Sequence, residues 1–340
     1  MKLLVTGGAG FIGSNFIHYW LKQHPQDSIV NFDALTYAGN LENLIAVQDN
    51  PQYSFIRGDI ADREAVFAVV EQVDVVIHFA AETHVDRSIL DPEVFLRTNV
   101  MGTQVLLEAV KKYGKRMHHV STDEVYGALG PDDAPFTENT PYDPRSPYSA
   151  AKAASDHLVR AYHHTYDVSV TISNCSNNYG PYMFPEKIIP LFISNLMEGK
   201  KVPVYGDGKQ IRDWIHVDDH NRGIDMIVQK GRIGETYCLG GNKEMTNIDL
   251  TRMLLILLDR DESFIEYVKD RPGHDRRYAI DFTKAKTELG WEPQIAFEDG
   301  LAAMVAWYQT HQEWVARCKS GDYQKYYGAW YADTLDMKHM

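Results

Sequence analysis

The chain reads as an α/β protein, a doubly wound parallel sheet followed by a smaller mixed lobe. Three observations carry this. A Gly7-Gly-Ala-Gly10-Phe-Ile-Gly13 run stands directly after the first apolar segment. Short β-rich runs then alternate with amphipathic segments over residues 1–173. After Ser173 that rhythm stops.

In order, the expected strands are Leu3–Thr6, Ser28–Asp33, Tyr53–Arg57, Asp74–Phe79, Met117–Ser121 and Val168–Ser173. Each is a short run dense in β-branched and aromatic residues, without the alternation of a half-exposed strand. That is the pattern of strands covered on both faces. Ser14–His24, Arg63–Val70, Glu93–Lys112 and Tyr148–Tyr166 lie between them with apolar residues at helical spacing, as crossover helices do. Asn174 to Pro185 is rich in Asn, Tyr, Gly and Pro and reads as loop. Lys201–Tyr205 and Arg212–Val217 read as strands around a Gly206-Asp-Gly208 turn, and helices are expected over Asp218–Gln229, Asn247–Leu258 and Phe297–Cys318. The division is therefore residues 1–173 for the sheet domain, with some later segments returning to it, and residues 174–340 mainly for the lobe. The stretch from Tyr323 to Met340 has no assigned role.

The 340 residues and 44% hydrophobic content suit one large domain with a lobe. With 34 basic and 47 acidic residues the formal charge is −13, which argues against nucleic acid as a partner. The cysteines Cys175, Cys238 and Cys318 show no CxxC spacing and read as reduced thiols of a cytoplasmic protein. No signal peptide is expected, since the chain enters a strand at once, and no run is apolar enough for a membrane span. The fourteen histidines contain no metal-ligand spacing. His118-His119 and His163-His164 are adjacent pairs that diverge on regular structure, so no metal is expected.

A glycine run between strand and helix lets the backbone approach a pyrophosphate at a helix N-terminus. Gly7, Gly10, Phe11, Ile12 and Gly13 are the residues of that turn, and Asp33 closes the second strand. A carboxylate there accepts from ribose hydroxyls and repels a 2′-phosphate, so NAD is expected over NADP. By analogy with the fold, Asp59 and Ile60 flank the adenine. Phe79, Ala80 and Ala81 pass under the cofactor, and Thr98 lies beside it.

Tyr148 and Lys152 share one helix face. The lysine charge is expected to lower the phenol pKa, making Tyr148 a base for an alcohol that gives up hydride. Ser121-Thr122-Asp123-Glu124 ends the fifth strand with two neighbouring carboxyls. Neighbours on a strand face opposite ways, so both reach one substrate only if the backbone leaves β geometry after Thr122.

The glycine run with Tyr148-x-x-x-Lys152 resembles the extended short-chain dehydrogenase/reductase family. Thr122-Asp123-Glu124 narrows this: the chain looks like the dTDP-glucose 4,6-dehydratases. The likeness extends through Glu82-Thr-His-Val-Asp-Arg-Ser88, Asn174–Tyr182, Phe184–Lys187, Arg212-Asp-Trp214 and Arg271–Arg277 and covers nearly the whole chain. Thr83 stands where serine is expected; both carry a hydroxyl. The resemblance implies C4 oxidation of the glucose, with Thr122 bonding the reacting hydroxyl. Glu124 then removes the C5 proton, Asp123 protonates the departing C6 hydroxyl, and the hydride returns to C6. It implies a substrate cleft of Thr83, His84, Asn177, Glu186, Lys187, Arg212, Asn247, Arg271 and His274, with Pro203 and Tyr205 around the base and Asn178 near the nicotinamide. It also implies a homodimer along the Glu93–Lys112 and Tyr148–Tyr166 helices. Thymidine rests on the resemblance alone, and UDP-glucose is the rival substrate. A nucleotide-sugar 4-epimerase or decarboxylase, or a non-catalytic NAD-binding sensor, are the other readings. The first needs no carboxyl pair, and the last has no use for Thr122, Tyr148 and Lys152.

Overall fold

The computed structural model describes residues 1–270 and 273–320. Its strands are β1 Lys2–Thr6, β2 Ser28–Asp33, β3 Tyr53–Arg57, β4 Val75–His78, β5 Arg116–Thr122, β6 Ser169–Cys175, β7 Asn177–Tyr179, β8 Val202–Tyr205, β9 Ile211–His216, β10 Thr236–Leu239, β11 Glu244–Thr246 and β12 Ile265–Val268. Its α-helices are α1 Phe11–Gln23, α2 Arg63–Val70, α3 Val85–Leu90, α4 Pro92–Phe95, α5 Thr103–Tyr113, α6 Pro147–Tyr166, α7 Ile188–Met197, α8 Val217–Lys230, α9 Asn247–Leu257, α10 Thr283–Leu289, α11 Phe297–Thr310 and α12 Gln312–Cys318.

Seven strands form one parallel sheet in the order β10-β6-β5-β4-β1-β2-β3. The order reverses at β1, where β4 and β2 flank it, so a crevice opens beyond the strand C-termini there. Alternate residues of β1 feed the two cores. Leu3 and Val5 pack with Phe16 and Trp20 of α1 and Ile224 of α8. Leu4 packs with Val66 of α2, Leu106 of α5 and Val159 of α6. The doubly wound expectation is met, and six of the seven strands fall where the β-rich runs stand.

The rest of the sheet was not visible in the pattern. Strand β10 is only Thr-Tyr-Cys-Leu, and it returns to pair with β6 after the lobe has begun. Part of the expected 174–185 loop is strand: Asn177–Tyr179 pairs with Trp214–His216 of β9. The expected Glu93–Lys112 helix is α4 and α5 joined by a π-helical stretch, Leu96–Gly102. The expected Phe297–Cys318 helix divides at His311.

The lobe has a three-stranded sheet, β11-β9-β7, and a two-stranded one, β12-β8. Its core joins Phe192 and Leu196 of α7, Val202 and Val204 of β8, Leu254 of α9, and Leu301 and Tyr308 of α11. Helix starts follow side-chain caps. Asp62 caps α2, Thr246 caps α9, and Ser146 with Ser149 forms a reciprocal capping box ahead of Pro147 on α6. That box fixes where α6 begins and so where Tyr148 sits.

Candidate active site

A cavity of about 360 Å³ lies at the C-terminal ends of β1, β2, β4, β5 and β6 and reaches the lobe. Its floor is the glycine turn. Gly7 has φ +70°, and a Cβ there would stand 2.6 Å from the Ala80 backbone. A Cβ on Gly13 would stand 2.3 Å from the Gly7 carbonyl oxygen, so α1 starts hard against the turn. Gly10 caps α1 without a side-chain bond, which leaves the first-turn N–H groups of a helix facing the cavity that Phe11, Ile12 and Gly13 line. Asp33 is buried at the end of β2 and accepts from the Ala9 N–H at 2.9 Å and the Leu35 N–H at 2.8 Å. Burial raises its pKa, and those two hydrogen bonds oppose the rise. The cradle fits a dinucleotide: open backbone donors for a pyrophosphate, and the Asp33 carboxyl lining the same cavity. Asp59, Ile60, Phe79, Ala80, Ala81, Thr98 and Asn178 all line the same cavity.

Thr122 ends β5 in extended geometry, φ −135° and ψ 153°, and Asp123 begins a single turn of 3₁₀ helix, Asp123–Tyr126. The Thr122 hydroxyl accepts from the Glu124 N–H at 3.3 Å, and this bond turns the chain out of the strand. The departure from β geometry lets Thr122, Asp123 and Glu124 all line the cavity with Tyr148 and Lys152.

Electrostatics separate the two carboxyls. Asp123 is 2% exposed, and one of its oxygens, Oδ2, has no hydrogen-bond partner. Burial first, then the Glu124 charge, lift its pKa well above the usual carboxylate range. Glu124 is only partly buried. Of the two, Asp123 is the one whose surroundings favour the neutral form.

Tyr148 departs from expectation. Burial and the Glu124 charge push its phenol well above the ordinary value, while a hydrogen bond with Thr122 opposes them. Lys152 is not among the largest influences on that phenol. Its ammonium donates to the Val120 carbonyl at 2.9 Å and lies 3.5 Å from His119 Nε2, and burial lowers its own pKa. The lysine charge is directed at the strand backbone and a buried polar cluster.

That cluster escaped the sequence reading. Asp156, fully buried, accepts from Ser121 at 2.9 Å and from the Tyr142 hydroxyl at 2.8 Å, and lies 3.0 Å from His119 Nε2. Burial alone would raise its pKa, but the hydrogen bond and charge of His119 and its other partners hold it low. The signal was there: Tyr148, Lys152 and Asp156 follow at i, i+4 and i+8 on one face of α6.

Of the expected substrate residues, Thr83, Asn177, Glu186 and Lys187 line the cavity, and Lys187 donates to the Thr83 carbonyl at 2.8 Å. His84 caps α3 behind them, its Nε2 4.0 Å from Glu186. Glu186 accepts from the Tyr37 hydroxyl at 2.9 Å and from Arg87 at 3.2 Å; neither partner was expected from sequence. Pro203, Tyr205, Asn247 and His274 form a second group in the lobe, outside the cavity lining. The Tyr205 and His274 rings meet edge on at 5.9 Å, and Tyr205 reaches Asp86 of the sheet domain at 3.4 Å. Asn247 opens α9 with its N–H on the Gln210 carbonyl. Arg212 is buried, stacked over Tyr278 at 4.2 Å, and its charge acts on Asp123. Arg271 lies outside the described residues, as does the stretch from Tyr323 onward. Among the described residues no group of three or more His, Cys, Asp or Glu is arranged to hold a metal ion.

Comparison with known proteins decides the family. Residues 4–304 match the family model described as GDP-mannose 4,6 dehydratase. A dTDP-glucose 4,6-dehydratase of Xanthomonas campestris pv. campestris (strain B100) is 54% identical, over 94% of this chain and 97% of its own. The chain belongs to the dTDP-glucose 4,6-dehydratase family. The crystal structure of a dTDP-glucose 4,6-dehydratase from Streptomyces venezuelae, with NAD and TYD bound, superposes at TM-score 0.92. It is 50% identical and is matched over 94% of this chain and all of that one. A UDP-glucose 4-epimerase of Thermotoga maritima superposes at 0.85 with 30% identity, covering 92% of this chain and all of its own. The 4,6-dehydratase family thus stands nearer than an epimerase that shares the fold.

Proposed function

We infer that this chain converts dTDP-glucose to dTDP-4-keto-6-deoxyglucose with NAD, and that its own residues divide the work as follows. Tyr148 takes the C4 hydroxyl proton, and Lys152 keeps the Tyr148 face of α6 tied to β5. Glu124 removes the C5 proton, which the new C4 ketone has made acidic. Asp123, held protonated, gives its proton to the C6 oxygen as that leaves, and Glu124 then returns a proton to C5. When bound, NAD accepts the C4 hydride, returns it to C6, and carries a positive charge on its oxidised ring. The observation that carries this reading is a fully buried carboxyl, its pKa raised by burial and by the Glu124 charge, next to a second, partly exposed carboxyl in the same cavity as Tyr148. An epimerase has no use for that pair.

Incubation of the purified protein with dTDP-glucose should give a product lighter by one water, with no net NADH formed, seen by mass spectrometry. An unchanged dTDP-glucose in a folded, NAD-loaded sample would overturn the reading and make UDP-glucose the next substrate.

The proposal extends to a homodimer through the α4–α5 side. Leu90, Leu96 and Met101 are 61%, 55% and 60% exposed there, an apolar face with no cover in one chain. Analytical ultracentrifugation should show a dimer that Met101→Glu weakens; a monomer at micromolar concentration would refute it. A cytoplasmic location suits the three free thiols, Cys175, Cys238 and Cys318. Among the described residues no helix is long and apolar enough to cross a membrane.

A further inference from the structure

His119, Val120, Ser121 and Thr122 end β5 just before the carboxyl pair, and each is tied to one buried cluster. His119 Nε2 lies 3.0 Å from Asp156 Oδ1, and the Ser121 hydroxyl donates to Asp156 Oδ2 at 2.9 Å. Side chains two apart on a strand share a face, so both reach the same helix, α6. The two carbonyls are held as well. Lys152 donates to that of Val120 at 2.9 Å. Asn174 of β6 donates to that of Thr122 at 3.1 Å and to Asp156 Oδ2 at 3.3 Å. The Tyr142 hydroxyl, from the segment before α6, donates to Asp156 Oδ2 at 2.8 Å. Asp156 therefore has partners on β5, on β6 and ahead of α6, and an ionised carboxylate can accept from all of them. It is 0% exposed and does not line the cavity.

Lys152 is a buried ammonium, 4% exposed, and such a charge needs a counter-charge. His119 Nε2 lies 3.5 Å from its Nζ and 3.0 Å from Asp156. Burial lowers the His119 pKa to about 4 and takes that of His78 on β4 well below its ordinary value. Burial lifts Cys175 on β6 to about 12, and raises Tyr148 and Asp123 well above their ordinary values. These five groups are uncharged near neutral pH. Arg160 is a second cation, donating to the Tyr142 hydroxyl at 2.7 Å. Glu124 lines the cavity and is only partly buried. Burial lowers the Lys152 pKa, and the Asp156 charge is the largest influence opposing it.

We propose that Asp156 is a positioning residue for the reaction. It locks the β5 end that carries Thr122, Asp123 and Glu124 to the α6 face that carries Tyr148, and it is the counter-charge of Lys152. Without that charge Lys152 gives up its proton more readily. A neutral amine donates more weakly to the Val120 carbonyl, so the tie between α6 and β5 loosens. This inference rests on the dehydratase reading above.

The test is Asp156→Asn, which keeps the size and removes the charge, in the NAD-loaded enzyme with dTDP-glucose. kcat should fall by about 100-fold, the cost of a small misplacement of reacting groups, with KM for dTDP-glucose unchanged. C4 oxidation is read alone in Glu124→Gln, where the base of the elimination is gone and the Glu124 charge with it. Adding Asp156→Asn there should move the alkaline fall in the rate of nicotinamide reduction to lower pH, by about one to three units. An alkaline limb that stays in place, or a KM that rises as far as kcat falls, would reduce Asp156 to a packing residue and overturn the proposal. So would a wild-type kcat. Where Asp156→Asn does not fold, Tyr142→Phe removes one bond to the same carboxylate from outside the cavity. It should lower kcat several-fold with KM unchanged, and a wild-type kcat there would overturn the proposal too. A wild type that forms no keto sugar at all would sink the dehydratase reading instead.

Discussion

Glu124→Gln should stop the reaction at the ketone: reduced nicotinamide accumulates, and solvent deuterium no longer enters C5. Glutamine keeps the size and removes the base, so elimination should slow by about 10²–10⁴-fold. C4 oxidation depends on Tyr148 and should survive. The structure adds a direction. Tyr148 is raised by burial and then by the Glu124 charge, so removing that charge makes the phenol easier to ionise. Oxidation in Glu124→Gln should therefore set in at lower pH than in wild type. Absorbance of the reduced cofactor across a pH series and mass spectrometry of C5 deuterium read both effects. Normal deuterium uptake by this variant would remove Glu124 from the role of base.

Asp123→Asn should abolish water loss while making the protein more stable. The asparagine cannot donate a proton to the C6 oxygen, and turnover should fall by about 10²–10⁴-fold. Wild-type activity should likewise fall as pH rises through the raised native pKa of Asp123, because the acid form disappears. The stability effect follows from linkage. An unfolded aspartate has a pKa of about 3.9. Above that value, and up to the higher native pKa, the folded state binds the extra proton. Stability therefore falls with rising pH across the window. Asparagine has no such loss. The two proteins should melt alike near pH 4, and the variant should melt higher near pH 8. A wild type that gains stability relative to Asp123→Asn between those points would show that Asp123 is ionised comfortably in the fold, and so not the acid.

The residues proposed to do the chemistry were legible because their spacing is local. Gly7 to Gly13, Thr122 to Glu124, and Tyr148 to Lys152 each sit within one turn or one strand end, where sequence distance and spatial distance agree. The requirement for a break in β geometry after Thr122 was readable too, and the 3₁₀ turn at Asp123 meets it. What escaped was the second ring of contacts. Tyr37, Arg87 and Glu186 come from three separate segments, and no period in the sequence connects them. Where the Lys152 ammonium points was hidden for a related reason. Helical spacing shows that two side chains share a face, but the Val120 carbonyl decides where the ammonium points. In the fold, the strands that went unseen are the short ones, β7, β10, β11 and β12, whose partners lie far along the chain.

Strand β10 has a consequence for how the molecule is made. It covers the outer edge of β6, pairing Thr236–Leu239 with Ile172–Cys175. During synthesis, β6 leaves the ribosome long before β10 does. In that interval β6 presents a row of unpaired backbone donors and acceptors, an edge that another nascent chain can extend. The lobe segments made in between are thus also a delay, and the same strand whose end carries Cys175 into the cavity is the last of the sheet to be sealed.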